Sequence, residues 1–307
     1  MSTIYDVAII GVGPAGLSAA LYASRYKLKT LLLGRKFGGW MSFAPKVENY
    51  PGFKAISGSE LTKKFKEQIE DLEIDRISED VVEIKKEGET FKLKATNDKE
   101  YETKTVIIAT GTEKRKLNIE GEEKFLGKGI SYCVTCDAAL FTRKDVAVVG
   151  GRNSAAVAAL LLAEYADSVK IIYRGDKLKA LPALIEKIDD NPKIEVIYNA
   201  VPTKAAGDAF LKGITIKKDS SETQLALEGL FIEIGSVPIK VTTKGIDIDY
   251  DIKGYIKTDK SQATNIKGVF AAGDITNNTL KQIITAAAEG AVAAHSAFEY
   301  CVSMKKQ

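Results

Sequence analysis

Short apolar runs recur along the chain and are separated by stretches in which apolar residues have helical spacing. The runs that predict buried strands cover residues 7–10, 29–33, 105–109, 169–173 and 194–198. Brief runs of this kind, bounded by glycine or polar residues, are typical of parallel strands that are covered on both faces. Helices are predicted at 17–25 and 154–165, and a last helix from about 281 to 302. The pattern predicts an α/β fold with βαβ units.

The strand–helix–strand pattern occurs twice, which bears on the number of domains. Further strands are predicted as a β-ribbon at 81–86, 91–95 and Tyr101, and later at 214–218, 225–234 and 255–258. A chain of 307 residues is long enough for two domains. The simplest organisation is two Rossmann-like, three-layer domains, the second inserted into the first. The first would comprise residues 1–114 and 243–307, and the inserted domain residues 115–242.

The charge balance excludes two classes of protein. Apolar residues make up 45% of the chain and charged residues 28%, and 44 basic against 41 acidic residues leave a net charge of +3. This near balance predicts neither a nucleic-acid partner nor a polybasic membrane anchor. The longest apolar run, 155–163, is about half as long as a membrane span, and the N-terminus lacks the features of a secretory signal. We therefore expect a cytoplasmic protein.

A glycine motif follows the first predicted strand. Gly11, Gly13 and Gly16 have the spacing G-x-G-x-x-G and stand directly before the first predicted helix. In a dinucleotide-binding turn the first glycine allows the tight turn, the second lets the backbone approach a pyrophosphate, and the third lets the helix pack on the strand. The pyrophosphate would lie at the helix N-terminus. The alternative is a glycine turn in an ordinary α/β unit.

The same arrangement occurs again with different chemistry. Gly150, Arg152 and Ala155 take the three positions, between a predicted strand and a predicted helix. An arginine at the second position would collide with a bound pyrophosphate, unless it swings out and becomes a phosphate ligand. The motif supports a βαβ unit here, but it does not predict nucleotide binding.

Cys133 and Cys136 form a Cys-x-x-Cys pair. In a cytoplasmic protein such a pair is typical of redox or metal-binding sites. A zinc site needs four ligands, and because the chain adds only His295 and Cys301 we expect no metal. Asp137 follows the pair directly and could donate or accept a proton beside it. A redox disulfide is the favoured interpretation, with Cys301 a small buried hydrophobe in the last helix.

Five segments, taken in order along the chain, resemble the low-molecular-weight thioredoxin reductases. They are GVGPAG at 11–16, ATG at 109–111, CVTCD at 133–137, GGRNSAA at 150–156 and GVFAAGD at 268–274. The resemblance covers nearly the whole chain. It implies a homodimeric disulfide reductase with an FAD domain and an NADPH domain, acting on thioredoxin or a glutaredoxin-like protein.

The resemblance also implies a set of residues that contact FAD. The set comprises Gly11, Gly13, Pro14, Ala15, Gly16, Gly38, Gly39, Asn49, Val82, Thr110, Gly111, Gly273, Asp274, Lys281, Gln282 and Ile283. Asp274 would accept a hydrogen bond from the ribityl or ribose chain, and Asn49 and Gln282 would lie near the isoalloxazine. Trp40 stands where the family commonly has glutamine, and its indole would stack beside the flavin or on a partner, or pack in the ordinary way.

The resemblance assigns a role to each sulfur of the pair. Cys136 would be the flavin-proximal sulfur, and Cys133 the one that exchanges with thioredoxin. Two thiols and a flavin form a two-electron relay, in which the reduced flavin reduces the disulfide and the dithiol then reduces a partner. A low thiol pKa would raise the thiolate fraction that attacks.

The segment that resembles the NADPH site departs from the family. The family has a histidine and two arginines after the second strand, with another arginine four positions later, and these recognise the 2′-phosphate. Here only Arg174 matches, since Gly175 and Lys179 replace the other two arginines. The Glu pair of the family is absent at positions 157 and 158. Together with Arg152, these changes predict that NADPH is not the electron donor.

Four functions remain open. In the favoured one, reduced ferredoxin or another one-electron carrier reduces FAD, as in the pyridine-nucleotide-independent branch of this family. In the second, NADPH or NADH binds through altered contacts. A flavin redox sensor without turnover is an alternative of another class. A ferredoxin–NADP reductase of similar fold is the fourth, but it would not need the cysteine pair.

Overall fold

The computed structural model describes residues 3–44, 46–219 and 221–304. The chain divides into two compact units, one comprising Met1–Glu113 and Val237–Gln307, the other Lys114–Ser236. Each unit contains parallel strands with helices packed against them. The predicted α/β fold, with a second unit inserted into the first, is confirmed.

Residues 237–242, which the sequence analysis assigned to the inserted domain, lie in the same compact unit as the N-terminal segment. Ile239 donates its N–H to Gly111 O at 3.0 Å and accepts the Thr110 hydroxyl at 2.7 Å. Val241 packs into a core cluster of the first unit. These contacts arise from tertiary packing, which leaves no local mark in the sequence.

Strands and helices alternate along much of the chain. The N-terminal segment contains β1 (Ile4–Ile10), α1 (Pro14–Arg25), β2 (Thr30–Leu33), α2 (Gly58–Glu70), β3 (Ile74–Ile77), β4 (Val81–Glu87), β5 (Thr90–Ala95), β6 (Glu100–Ile108) and β7 (Thr112–Lys114). The inserted segment contains α3 (Glu122–Phe125), β8 (Ile130–Ser131), α4 (Val134–Asp137), β9 (Asp145–Val149), α5 (Asn153–Ala163), β10 (Ser168–Tyr173), α6 (Pro182–Asp189), β11 (Ile194–Tyr198), β12 (Ala200–Gly207), β13 (Leu211–Lys218), β14 (Ser221–Ala226), β15 (Gly229–Ile232) and β16 (Ser236–Pro238). The C-terminal segment contains β17 (Thr242–Lys244), β18 (Val269–Ala271) and α7 (Ile283–Met304). In the described part of the chain no helix is long and apolar enough to cross a membrane.

The first unit is built on one mixed sheet with the strand order β17-β4-β5-β6-β1-β2-β3, and β18 pairs with the second half of β6. The central strand β1 is parallel to β2 and β6, and β18 is also parallel to β6. β4, β5 and the first half of β6 form the predicted antiparallel ribbon. The carboxyl ends of β1, β2, β6 and β18 therefore meet at one edge, where open α/β sheets bind ligands.

Helices α1 and α7 cover one face of this sheet with small side chains. Their buried alanines share a core cluster with Val7 and Ile9 of β1. A β-carbon at Gly290 of α7 would lie only 2.0 Å from Ala15 O of α1, so glycine there lets the two helices approach closely. Cys301 of α7 is 3% exposed in the same cluster, as expected for a small buried hydrophobe.

The second unit contains a parallel sheet with the order β11-β10-β9-β15-β8 and a separate antiparallel sheet of β12, β13 and β14. Alternate residues of β9 point to opposite faces of the parallel sheet. Val148 packs with Ala159 and the rest of α5, whereas Val149 packs with Ile214 of the antiparallel sheet. The parallel sheet is thus covered on both faces, as its apolar runs predict.

Two strand predictions were wrong. The predicted strand 225–234 is two strands, β14 and β15, which belong to different sheets. Leu227 is buried and Glu228 donates its N–H to Asp145 O where the chain passes between these sheets. At 255–258 the structure has two isolated bridges instead of a strand, one between Ile256 and Tyr250 and one between Ile256 and Thr276. A continuous β-like sequence pattern does not show where one strand ends and the next begins in a different sheet.

Candidate functional site

The crevice of the first unit lies at the carboxyl ends of its parallel strands. β1 leads into the glycine turn, β6 into residues 110–111, and β18 into residues 273–274. A β-carbon at Gly11 would lie 2.1 Å from Ala109 O, and one at Gly273 would lie 2.9 Å from the β-carbon of Ala15. These strand ends are in direct contact, so the structure brings most of the predicted FAD residues to one place.

The three glycines of the first turn have different physical roles. Gly11 has φ +115°, and a β-carbon at Gly16 would lie 1.9 Å from Gly11 O. Both positions need glycine for the fold itself. Gly13 is the N-cap of α1 with φ −80°, and a β-carbon there would meet nothing within 4 Å. The fold therefore leaves open space in front of Gly13, at a helix N-terminus that attracts anions.

A second glycine pair lies against this turn. Gly38 and Gly39 have φ of +83° and +54°, values that favour glycine. Gly38 donates its N–H to Val12 O at 2.8 Å, and a β-carbon at Gly39 would lie 3.3 Å from Gly13 Cα. The loop therefore borders the open space in front of Gly13 with bare backbone.

Asn49 and Gln282 are joined by a hydrogen bond, although 233 positions separate them in sequence. Asn49 Nδ2 donates to Gln282 Oε1 at 2.8 Å. Ile283, the first residue of α7, packs on a cluster that includes Met41 and Val47. The structure thus unites the two segments for which the resemblance implies contacts with the isoalloxazine.

Asp274 lies half-buried in the short turn after β18. Burial raises the pKa of Asp274, and the positive charge of Lys281 opposes that shift. No hydrogen-bond donor among the described residues reaches the Asp274 carboxylate. Lys281 donates to Thr276 O and lies 4.4 Å from the centre of the Tyr255 ring, while burial lowers its pKa. Thr276 and Tyr255 therefore fix the position of the Lys281 ammonium group. Among the described residues the carboxylate of Asp274 has no hydrogen-bond donor.

Glu289 is a candidate site residue that the sequence analysis missed. Its carboxylate is buried, and Oε2 accepts the Gly273 N–H at 2.7 Å and the Thr276 hydroxyl at 3.3 Å. Burial raises the pKa of Glu289, although these hydrogen bonds oppose the shift. The side chain fixes the turn that carries Asp274. The only signal in the sequence is one acidic residue in an otherwise alanine-rich part of a helix.

These residues fit a dinucleotide such as FAD, which the family resemblance implies. The open space at Gly13 suits a pyrophosphate, and the Asp274 carboxylate suits a sugar hydroxyl as donor. Val82 lies at a bulge of β4 and is 42% exposed, so its contact with FAD stays a prediction.

The indole N–H of Trp40 forms a hydrogen bond, and stacking of its ring beside the flavin or on a partner stays a prediction. Nε1 donates to Thr112 O at 2.7 Å, and the ring centre lies 5.9 Å from that of Phe43. The hydrogen bond ties the turn at Gly39–Phe43 to β7. Trp40 is nevertheless 44% exposed, so one part of the indole remains open to solvent.

Cys133 and Cys136 form a disulfide bond in the second unit, with their Cα atoms 5.3 Å apart. The pair follows β8, at the edge of the parallel sheet, and Cys133 is the N-cap of the short helix α4. Cys136 is exposed and Cys133 half-buried. The bond can therefore be reached from solvent. Which sulfur is flavin-proximal stays a prediction.

Ser131 holds Asp137 beside the disulfide. The Ser131 hydroxyl donates to Asp137 Oδ2 at 2.6 Å and accepts the Cys133 N–H at 2.9 Å. The carboxylate is therefore oriented by the same turn that carries the disulfide. The sequence analysis missed Ser131, because a serine two residues before a cysteine has no distinctive spacing.

Tyr132 and Glu122 anchor the residue that precedes Cys133. The buried Glu122 carboxylate accepts the Tyr132 hydroxyl and three backbone N–H groups of residues 117–119, the latter at 2.5–3.3 Å. Burial, together with the hydrogen bond to Glu122, raises the pKa of Tyr132. The sequence analysis missed both residues. Their contacts fix the start of the disulfide turn.

The second glycine turn repeats the backbone of the first. Gly150 has φ +148°, and Arg152 is the N-cap of α5 with φ −114° and ψ −174°, close to the extended conformation of Gly13. The side chain of Arg152 is exposed, as are those of Arg174 and Lys179 beyond β10. This edge is basic, but it has an arginine at the position where the first turn leaves open space.

Comparisons with known proteins show the family of the chain. The pyridine nucleotide-disulphide oxidoreductase family matches residues 5–290. A thioredoxin reductase of Listeria monocytogenes is 40% identical, over 99% of this chain and 96% of that protein. The crystal structure of Lactococcus lactis thioredoxin reductase is 40% identical, with a TM-score of 0.91 over 97% of this chain and 99% of that one.

A ferredoxin-flavin thioredoxin reductase is also among the similar structures. That crystal structure, from Clostridium acetobutylicum, is 34% identical, with a TM-score of 0.56 over 99% of this chain and 100% of that one. None of these three relatives supports the alternative of a redox sensor without turnover. Matches of this length and identity show that the chain belongs to the pyridine nucleotide-disulphide oxidoreductase family and, within it, to the thioredoxin reductases.

Proposed function

We propose that the protein is an FAD-dependent thioredoxin-disulfide reductase that receives its electrons from a carrier such as reduced ferredoxin rather than from NADPH. The observation that carries the reductase activity is the disulfide of Cys133 and Cys136, in a chain whose first unit offers a dinucleotide crevice. The expected substrate is thioredoxin or a glutaredoxin-like protein, and the expected form is a cytoplasmic homodimer. The first unit would bind FAD, and the inserted unit carries the cysteine pair.

The residues of the crevice have distinct roles in holding FAD. The open N-terminus of α1 at Gly13 would bind the pyrophosphate, and Asp274 would accept a hydrogen bond from a sugar hydroxyl. The hydrogen-bonded pair of Asn49 and Gln282 would lie near the ring system. When bound, FAD supplies the two electrons that reduce the disulfide.

The cysteine pair passes those two electrons on by thiol–disulfide exchange. The Cys133 thiolate attacks one sulfur of the partner's disulfide, so a mixed disulfide forms and the other partner sulfur leaves as a thiolate. The Cys136 thiolate then attacks Cys133 Sγ, which restores the intramolecular disulfide and releases the partner as a dithiol. Asp137, oriented by Ser131, takes or returns a proton beside the pair.

The residues of the second unit support a donor other than NADPH. Arg152 stands at the N-cap of α5, where the first turn has open space, and Gly175 carries no guanidinium for a 2′-phosphate. A relative named for ferredoxin shares the fold over the full chain. The observation that supports the alternative, in which NADPH or NADH binds through altered contacts, is the positive charge of the exposed Arg174 and Lys179.

An anaerobic titration of the flavin absorbance tests the donor. We expect reduced ferredoxin to bleach the flavin and allow thioredoxin reduction, whereas NADPH and NADH bleach it slowly or not at all. The Cys133→Ser, Cys136→Ser double variant is the control, because it needs two electrons fewer for complete reduction. Rapid bleaching of the native enzyme by micromolar NADPH would refute the proposed donor and leave the ordinary thioredoxin reductase.

The identity of the cofactor has a separate test. The glycine turn at 11–16 and the second segment at 273–274 together suit a dinucleotide rather than a mononucleotide. Extraction and chromatography of the chromophore should therefore yield FAD. Recovery of FMN alone, or a colourless protein at full occupancy, would contradict the assignment of the crevice.

A further inference from the structure

Tyr173, the last residue of β10, places its ring between two glycines. A β-carbon at Gly151 would lie 2.3–2.4 Å from Cγ, Cδ2 and Cε2 of the ring, and a β-carbon at Gly175 would lie 2.7–3.1 Å from Cε1, Cζ and the hydroxyl oxygen. One edge of the ring therefore covers the glycine turn, and the other covers the backbone after β10. Neither glycine has a left-handed φ. The ring, and not the backbone conformation, is therefore what crowds a side chain at both positions.

The first unit has the opposite arrangement at the equivalent positions. In the first unit Ile10 of β1 pairs with Leu33 of β2, and in the second unit Val149 of β9 pairs with Ile172 of β10. The residues that directly follow Leu33 and Ile172, Gly34 and Tyr173, are therefore equivalent. A β-carbon at Gly34 would lie 2.9 Å from the side chain of Val12.

The bulk therefore comes from different places in the two units. In the first unit the side chain of Val12, in the glycine turn, fills the space, and the residue after β2 is Gly34, which has no side chain. In the second unit the turn is bare at Gly151, and Tyr173 supplies a ring that reaches as far as Gly175.

This difference lies at the position that reads the ribose in dinucleotide-binding folds. Ligands of open α/β sheets bind outside the carboxyl ends of the strands, and residues after the second strand contact the 2′-oxygen or its phosphate. A phenol brings no positive charge to a phosphate. Because its ring also occupies the space beside Gly175, a longer side chain there would need the ring to move.

We propose that Tyr173 is a specificity-determining residue that excludes 2′-phosphorylated nucleotides from the second unit. The ring keeps position 175 free of a guanidinium and covers the edge where one would be needed. The proposal rests on the proposed function, because it gives a structural reason why NADPH would not be the electron donor. It follows that Arg152→Gly together with Gly175→Arg does not create an NADPH site as long as the ring stays in place.

Calorimetric titration of the FAD-loaded protein with 2′,5′-ADP, and with 5′-AMP as the probe without a 2′-phosphate, tests the proposal. We expect Gly175→Arg alone to bind 2′,5′-ADP no better than the native protein does. The double variant Tyr173→Ala, Gly175→Arg should bind it about tenfold more tightly or better, because one charge-assisted contact with phosphate is restored. Affinity for 5′-AMP should stay unchanged.

A neighbouring tyrosine provides the matched control. Tyr198 of β11 is the register partner of Tyr173 and is also half-buried. The double variant Tyr198→Ala, Gly175→Arg removes a ring of equal size and should show no gain. Equal gains in both double variants, or tight binding by Gly175→Arg alone, would overturn the proposal, and so would a folded Tyr173→Ala, Gly175→Arg protein without any gain.

Thermal unfolding gives a measurement that needs no nucleotide. Gly175→Ala should lower the unfolding midpoint when Tyr173 is present and leave it unchanged in the Tyr173→Ala background. Equal shifts in both backgrounds would overturn the proposal even if the arginine variants failed to fold. The two proposals can fail separately. Flavin reduction by NADH, which has no 2′-phosphate, would refute the donor and leave the role of Tyr173 intact, whereas equal gains in both double variants would overturn the role of Tyr173 and leave the donor untouched.

Discussion

Gly13→Ser should leave the fold of the apoprotein intact and weaken the binding of FAD. A β-carbon at Gly13 meets nothing within 4 Å, and φ −80° is accessible to any residue. Serine is at least as good an N-cap as glycine, so the free energy of unfolding of the apoprotein should stay within about 0.5 kcal/mol of the native value. The serine side chain would, however, occupy the space expected for the pyrophosphate and compete for the N–H groups of α1.

Gly16→Ala, in contrast, should lower the stability of the apoprotein itself. Its β-carbon would lie 1.9 Å from Gly11 O, whereas a carbon–oxygen contact needs roughly 3.3 Å. Both partners are tied to the backbone, so no rotamer change relieves the overlap. Because this overlap cannot relax, it should cost more than the gain of about 1 kcal/mol that alanine brings in a helix, so we expect a net loss of stability even without FAD.

Two measurements on the apoproteins distinguish these outcomes. Urea unfolding followed by circular dichroism gives the stability, and flavin fluorescence during titration with FAD gives the affinity. The loss of one charge-assisted contact of about 1.5–3 kcal/mol predicts roughly 10- to 100-fold weaker FAD binding by Gly13→Ser. Native affinity in that variant would refute the placement of the pyrophosphate, and native stability of Gly16→Ala would refute the close approach of helix and strand.

Three further predictions concern the disulfide and the buried carboxyl groups. Cys133→Ser and Cys136→Ser should each abolish thioredoxin reduction but retain FAD, and turnover by either variant would contradict the relay. If Cys136 is the flavin-proximal sulfur, only Cys133→Ser should show a thiolate–flavin charge-transfer band. Burial raises the pKa of Asp274, so the apoprotein should lose stability as the pH rises from about 4 through that pKa. Asp274→Asn should therefore raise the midpoint of thermal unfolding at pH 7 but not at pH 3. Equal midpoints of variant and native protein at pH 7 would contradict this. Tyr132→Phe removes the hydroxyl that donates to the buried Glu122 and should cost about 1–3 kcal/mol of stability in urea unfolding, and a cost below about 0.5 kcal/mol would contradict the anchoring role.

The parts of the fold that the sequence predicted are those with strong local signals. Apolar runs identified parallel strands of both units, such as β1 and β10, because a strand covered on both faces must be apolar throughout. The turn at Gly11 was predictable because its φ of +115° requires glycine. The Cys133–Cys136 disulfide was predictable because a Cys-x-x-Cys pair is typical of redox or metal-binding sites, and the chain adds too few other cysteines and histidines for a metal site.

The contacts that escaped the sequence analysis depend on tertiary packing. The bond between Asn49 and Gln282 joins residues 233 positions apart, and a family resemblance pointed to both without indicating that they touch. Glu289 reaches Gly273 only because α7 packs against the turn after β18. The ring of Tyr173 looked like an ordinary strand residue until its position between two glycines was known.

The two glycine turns of this chain separate the needs of the fold from those of a ligand. Gly11 and Gly150 have φ of +115° and +148°, so the fold requires glycine at both. The next motif position has an unstrained backbone in both turns, with φ −80° at Gly13 and −114° at Arg152, so the fold accepts any residue there. Only a ligand that approaches the backbone closely requires glycine at that position. Because the second turn satisfies the fold but not this ligand requirement, its glycines are evidence of a βαβ unit and not of a bound nucleotide.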